Sequence, residues 1–239
     1  TTAGILSFIT GVFMFIIAIQ IVRRYFERRK LSTLYLGISI VGWLGAIWAV
    51  CLIYFTSGTN LEYAIFNQKI VYISVFLATI LTFLFASEIF FQPTKQMKTA
   101  YIIVGLIMAV LIFAIDSVSV GEFPDGTGYP LLNIKLPFII LLVIYIIPTT
   151  IGIFWLAWKT SKKVEEKQYQ VGFKVIAIAE IFLILTFVSD TLQGIFIDNI
   201  TIYATFLYLT WVFPLLAGIC YYVGYIMPGW FMKYFANKN

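Results

Sequence analysis

Seven uninterrupted apolar runs, each about as long as a membrane is thick, dominate this sequence and leave little chain between them. They cover approximately residues 3–22, 33–56, 70–91, 99–115, 137–158, 174–197 and 201–226. A hydrocarbon layer about 30 Å thick takes roughly 20 apolar residues in an α-helix. The runs are continuous rather than alternating, which excludes a transmembrane β-barrel. Helices that satisfy their own backbone groups are the remaining way to cross lipid. Composition agrees: 62% of residues are hydrophobic and 11% charged, with mean hydropathy +0.97. Soluble domains are about half apolar and about a quarter charged, so lipid is the expected solvent here. The expected fold is an all-α integral membrane protein, one seven-helix bundle over residues 1–239, with a short interfacial tail at 228–239.

Charge sets the expected orientation. Arg23, Arg24, Arg28, Arg29 and Lys30 follow the first run, Lys95 and Lys98 the third. Lys159, Lys162, Lys163, Lys167 and Lys174 follow the fifth, and Lys233 and Lys238 the seventh. That puts 14 of the 16 cations on one side, with Lys69 and Lys135 on the other. The positive-inside rule makes the crowded side cytoplasmic. The chain is thus expected in the cell membrane as a multi-pass protein, N-terminus outside and C-terminus in the cytoplasm. The net charge of +5 is explained by topology and contact with the lipid bilayer's anionic headgroups. It does not point to nucleic acid, since the Arg23–Lys30 cluster lacks an alternating aromatic platform. Residues 3–22 are unlike a cleavable signal peptide, because their basic cluster follows the apolar run instead of preceding it.

Missing residue types narrow the chemistry. There is no histidine, which removes His-ligated haem, most zinc catalysis and the commonest general base. Two cysteines are too few for an iron–sulfur cluster, and Cys51 and Cys220 fall on opposite sides of the bilayer midplane, too far apart for a disulfide. The seventh run has no lysine for a retinal Schiff base. No catalytic residues, metal site or cofactor are expected, and an enzyme is not.

The longest stretch between runs, Asp116 to Leu136, holds a dense set of turn formers from Gly121 to Pro130. It reads as a structured hairpin or as an ordinary loop. Asp116, Glu122 and Asp125 are acidic but lack the ligand spacing of a cation site. Asn199-Ile200-Thr201 matches a glycosylation sequon at the membrane surface. After Pro228, the stretch Gly229–Phe235 suits a short helix along the membrane surface.

Acidic residues within membrane spans are costly and mark functional hypotheses. Three qualify. Glu88 closes the third run, either as an interfacial carboxylate paired with Lys95 or Lys98 or as half of a latch. Glu180, at similar depth in the sixth, is the other half: through a shared basic partner the two would tie helix three to helix six. A structural hydrogen bond is the alternative for Glu180. Asp190 is the most informative. Thr186, Ser189, Asp190 and Gln193 follow helical spacing and form one polar stripe. Such a stripe either lines an outward-facing cavity, where a small-molecule ligand of unknown identity would bind, or glues helix six to a neighbour. Tyr145 and Thr149 in the fifth run, beside Pro148, and Trp211 in the seventh, beside Pro214, are the expected complementary surfaces. In the second run, Gly42/Ala46 and Gly45/Ala49 are small-residue pairs that permit close helix contact.

Several features together resemble the seven-helix N-terminal sensor module of prokaryotic histidine kinases. They are Trp43 and Trp48 in span two, Asn67-Gln68-Lys69-Ile70-Val71-Tyr72 entering span three, and Phe83-Leu84-Phe85-Ala86 near its end. Gln168, Gln170 and Lys174 precede span six, and Gly224 and Pro228 close span seven. The resemblance implies a membrane sensor or receptor-like module, an extracytoplasmic or intramembrane stimulus, and output through the tail after helix seven. The sequence ends at Asn239 without a kinase domain, so signalling is expected through a separate partner. Two further readings stay open: an accessory subunit packed against other membrane protein chains in a larger complex, and a proton-coupled transporter.

Overall fold

The computed structural model describes residues 2–122, 130–196 and 198–236. Its elements run α1 (Thr2–Arg28), α2 (Leu31–Thr56), α3 (Leu61–Ile89), α4 (Lys95–Ala114), β1 (Val118–Glu122), β2 (Pro130–Ile134), α5 (Leu136–Ser161), α6 (Lys167–Ile195), α7 (Ile200–Tyr221) and α8 (Gly229–Ala236), with a π-helical turn, Tyr222–Ile226, after α7. Among the described residues seven helices are long and apolar enough to cross a membrane, the last running from Ile200 through the π-helical turn. The chain is a helical bundle that fits a multi-pass membrane location.

Two helices start well before their apolar runs. Helix α3 begins at Leu61, nine residues ahead of the expected 70, because its polar first turns find partners. Asn60 caps it by accepting from the Tyr63 amide at 3.0 Å. Gln68 donates to the Tyr72 hydroxyl at 3.2 Å. Lys69 Nζ donates to the carbonyls of Phe113 and Ile115 at 3.0 and 3.1 Å, the orphan acceptors at the end of α4. Helix α6 likewise begins at Lys167 rather than 174. Hydropathy reads apolar length, and capped polar turns escape it.

Chain neighbours run antiparallel, which defines two faces. The starts of α1 and α3 and the ends of α2 and α4 lie on the amino face, where the Cys51 thiol sits 4.0 Å from the Gly4 carbonyl. On the opposite, carboxy face the start of α6 meets the π-helical turn. There Gly172 and Gly224 touch backbone to backbone: a Cβ at either would lie 2.8 Å from the other's carbonyl oxygen. The small residues of α2 serve as expected, Gly42 resting on Ala78 and Gly45 on Ser74 of α3.

The interior has two cores. One joins α1, α2, α6 and α7 around Ile21, Leu36, Ile176, Ala217 and Tyr221, with Phe85 of α3. The other joins α3, α4 and α5 around Phe76, Ile80, Ile112, Tyr145 and Ile146. The outer surface is apolar, with Phe13, Phe15, Ile107, Val110 and Ile144 all exposed. In water that belt would be a severe liability, and against lipid it is the expected solvent-facing surface.

Strands β1 and β2 form an antiparallel hairpin on the amino face, Val118 opposite Ile134, so the turn-rich stretch is structured rather than an ordinary loop. Its tip, including Asp125, lies outside the described residues. Asp116 is committed to Lys135, Oδ2 to Nζ at 2.5 Å, so it is not free for a cation. This hydrogen bond and the ammonium charge behind it hold the Asp116 carboxyl below the usual carboxylate range. Asn199 of the sequon caps α7, accepting from the Ile202 amide at 3.2 Å. Helix α8 occupies the expected tail.

Candidate ligand recess

The polar stripe of α6 points into the bundle, and its members differ in how they are satisfied. Thr186 is buried and its hydroxyl donates back to the Phe182 carbonyl at 2.9 Å, so its polar group serves its own helix. Ser189 is buried beside it. Gln193 donates through Nε2 to the Tyr203 hydroxyl of α7 at 3.1 Å, while its Oε1 is buried with no partner.

Asp190 stands apart. Its side chain is exposed, although it lies on the helix face that carries the buried Ile176 and Leu183. On the bundle-facing stripe of α6, that combination makes Asp190 the mouth of a candidate recess. Three helices contribute walls: Tyr54 of α2, Tyr72 of α3 and Tyr203 of α7 all lie within electrostatic reach of the Asp190 carboxylate. Among the described residues no lysine or arginine pairs with it. Asp190 is five residues, about 8 Å of helix, from the end of α6, so the recess lies toward the amino face.

Trp211 of α7 adjoins this group through Tyr54. Its ring packs edge-on against Tyr54 with centroids 6.4 Å apart. The indole is 5% exposed, and its buried Nε1 has the Tyr54 hydroxyl beside it. One helical turn deeper than Asp190, Phe187 packs on Trp43 of α2 at 6.0 Å.

Two of the expected lining residues belong elsewhere. Tyr145 donates to the Tyr101 carbonyl at 2.9 Å, and Thr149 and the Tyr101 hydroxyl are 2.5 Å apart. Tyr101 also stacks between Phe83 and Tyr145, at 4.0 and 4.6 Å. Tyr145 and Thr149 therefore clasp α5 to α4 and do not face Asp190. They share a helix face as their spacing indicates, but that face meets α4.

The expected latch between Glu88 and Glu180 is not made. Glu88, at the end of α3, pairs with Lys98 in the first turn of α4 at 2.9 Å, as an interfacial carboxylate. Glu180 is fully buried and accepts from the Tyr221 hydroxyl of α7 through Oε1, leaving Oε2 without a partner. The two carboxylates serve different neighbours and share no cation. A separate internal cavity of about 20 Å³, room for one water, is lined by Ser39, Trp43, Thr82, Pro214 and Tyr221, among others.

Tyr54 and Tyr203 were not legible as site residues. Both lie near the boundaries of apolar runs in a chain with 15 tyrosines, so only their electrostatic reach of Asp190 distinguishes them. Among the described residues no group of three or more Asp, Glu or Cys is placed to hold a metal ion. No protein-family model matches the chain, and no curated protein is similar to it in sequence.

Proposed function

We propose that this chain is a membrane sensor module whose stimulus enters the Asp190 recess from the amino face. In this reading the amino face is extracytoplasmic, which the 14-to-2 distribution of cations supports. The observation that carries it is the Asp190 carboxylate, which lies in an apolar span, is exposed, and has no basic partner among the described residues. A charge there costs stability unless something complements it, so the site is kept for a use. The Asp190 end of α6 and the carboxy face are joined by α7: its Tyr203 accepts from Gln193, Tyr221 holds Glu180, and the π-helical turn follows. π-helical turns are rare and often sit at functional positions. A shift of α7 on binding would reach the Gly172–Gly224 contact, where output to a partner would begin.

A second reading, proton-coupled transport, draws support from Glu180 and its partnerless oxygen near a water-sized cavity. Purification from the native membrane in mild detergent, followed by mass spectrometry, separates the readings. A sensor is expected to bring a soluble signalling chain. Stoichiometric integral membrane subunits would instead mark an accessory subunit of a larger complex. Proton uptake by proteoliposomes that depends on Glu180 would establish transport.

A further inference from the structure

We propose that the outer groove between α1 and α2, at the carboxy face, holds one anionic phospholipid. An acyl chain lies along the helices, and the phosphate sits at Arg23 with Arg29 adjoining. The inference needs only that the bundle lies in a bilayer, and it is independent of the Asp190 reading.

The groove has a volume of about 380 Å³. Its floor is Ala18 and Leu44, 2% and 7% exposed, and its walls are the exposed Phe15, Ile19 and Val41. From Phe15 to Phe26 it follows about 16 Å of α1 at the usual helical rise. Phe15 lies near the middle of the apolar span Gly4–Glu27 and Phe26 at its end, so the groove runs from the bilayer midplane to the headgroups of one leaflet. A hydrocarbon core about 30 Å thick gives each leaflet about 15 Å. A spanning helix of another chain would call for a seam along the whole thickness, whereas an acyl chain occupies half of it. The length therefore favours lipid.

The mouth chooses among lipids. Arg23 lines it, its side chain 81% exposed. Its Nε lies 3.6 Å from Glu27 Oε1, while Arg24 holds the same carboxylate more closely, Nη1 to Oε2 at 2.8 Å. The Nη1–Nη2 edge of Arg23 has no partner among the described residues. That edge is the fork that matches two oxygens of a phosphate. Arg29 is the second cation: its guanidinium lies 5.7 Å from the centre of the Phe26 ring, which lines the groove. The Arg29 backbone is left-handed, with φ 53°, and its amide donates to the Tyr25 carbonyl at 2.7 Å. Glycine usually fills that place after a helix; here an arginine bears the strain and brings a charge to Phe26. Arg23–Lys30 carries five cations against one carboxylate, so a headgroup with its own ammonium is disfavoured and an anionic one preferred.

The test titrates the purified protein in detergent with phosphatidylglycerol and with phosphatidylcholine of the same chains. Native mass spectrometry counts the lipids bound and reads the tightest association constant. Phosphatidylglycerol is expected to bind about tenfold tighter, as two partly screened arginines at a membrane surface imply. Arg23→Gln with Arg29→Gln should remove that advantage. Lys163→Gln with Lys167→Gln takes the same charge from the same face and should leave it intact. Val41→Trp fills the groove, keeps both arginines and should weaken both lipids, which keeps the test open should the arginine variant fold poorly. Glycerol 3-phosphate, a phosphate without chains, should not displace the lipid at equal concentration. Equal binding of the two lipids, an advantage that survives loss of both arginines, or an equal loss in the lysine variant would each overturn the assignment. So would unchanged binding in Val41→Trp, or displacement by glycerol 3-phosphate, which would mark an anion site only. A photo-crosslinker at Ile19 that captures another protein chain in the native membrane, and no lipid, would overturn it in favour of a protein interface.

Discussion

Helix α6 carries two carboxylates ten residues apart, about 15 Å along the axis, and it treats them in opposite ways. Glu180 is fully buried in the larger core, hydrogen-bonded by Tyr221, with Ile176, Ala177, Ala179 and Leu183 of its own helix in the same core. Asp190 is exposed and has tyrosine side chains within electrostatic reach but, among the described residues, no paired cation. Glu180 holds α7 to α6, so its value is read in stability. Among the described residues Asp190 joins no two helices by a hydrogen bond, so in the sensor reading its value lies in what it binds. Sequence treats the two as the same kind of residue, an acid in an apolar run; surroundings separate them.

The sharpest way to break this comparison is chemical access. With Cys51 and Cys220 replaced by Ala, Asp190→Cys and Glu180→Cys are exposed in turn to a small, positively charged, membrane-impermeant thiol reagent. Cys reactivity follows thiolate exposure, and a buried position reacts only through local opening. The cysteine replacing Asp190 is expected to react on the order of 100-fold faster than the one replacing Glu180. In intact cells it should react from outside, which tests the orientation in the same experiment. Equal rates would mean that the recess does not admit solutes. Reaction only after the cytoplasmic side is opened would reverse the topology.

Stability is the next readout, and here the order of the two residues inverts. Glu180→Ala removes packed volume and leaves the Tyr221 hydroxyl buried without its acceptor. Together these should cost about 3 kcal/mol, seen as a lower midpoint of unfolding in detergent followed by tryptophan fluorescence. Glu180→Gln retains an acceptor for Tyr221 and should recover most of the loss. Asp190→Asn should stay within about 0.5 kcal/mol of wild type, as substitutions free of partners do. If Asp190→Asn proves as damaging as Glu180→Ala, Asp190 is structural glue and the recess is not a binding site.

How much of this was legible in sequence follows from which force is at work. Hydropathy reports the apolar lengths that lipid demands, so all seven helices and the tail helix were readable, and small-residue spacing marked the face of α2 that receives α3. The early start of α3 was hidden because it depends on Lys69 reaching the end of α4, a contact between segments 44 residues apart. Helical spacing also put Thr186, Asp190 and Gln193 on one stripe, and that holds. Spacing says nothing about which neighbour a face will meet. Tyr145 and Thr149 share a face, but it meets Tyr101 of α4, and Glu88 and Glu180 share a depth but look toward different helices. Partner choice in a bundle is set by shape complementarity between helices, which a single sequence does not encode in any local pattern.

The smallest expected effect lies at the hairpin, on the same face as the recess. Asp116 is exposed and bonds Lys135 across the base of the strands, where the Lys135 amide also donates to the Ser117 carbonyl at 2.8 Å. The Asp116 carboxyl is lowered from its ordinary 3.8 by the Lys135 hydrogen bond first and by its charge second. A lowered carboxyl contributes stability that is present above its unfolded pKa and is lost as pH falls through the folded value. The pair should therefore hold the hairpin unchanged from neutral pH down to about pH 4 and release it below that. Amide hydrogen exchange at Val118 and Val120 reads this locally, with faster exchange expected only in the acid range. Asp116→Asn should remove the acid-dependent step and leave exchange at the Asp190 end of α6 untouched, because nothing in the pair reaches the recess. A change at Asp190 on breaking the Asp116–Lys135 pair would show instead that the hairpin acts as a lid coupled to the site. The contrast on α6 would then extend to a third carboxylate, one that governs access.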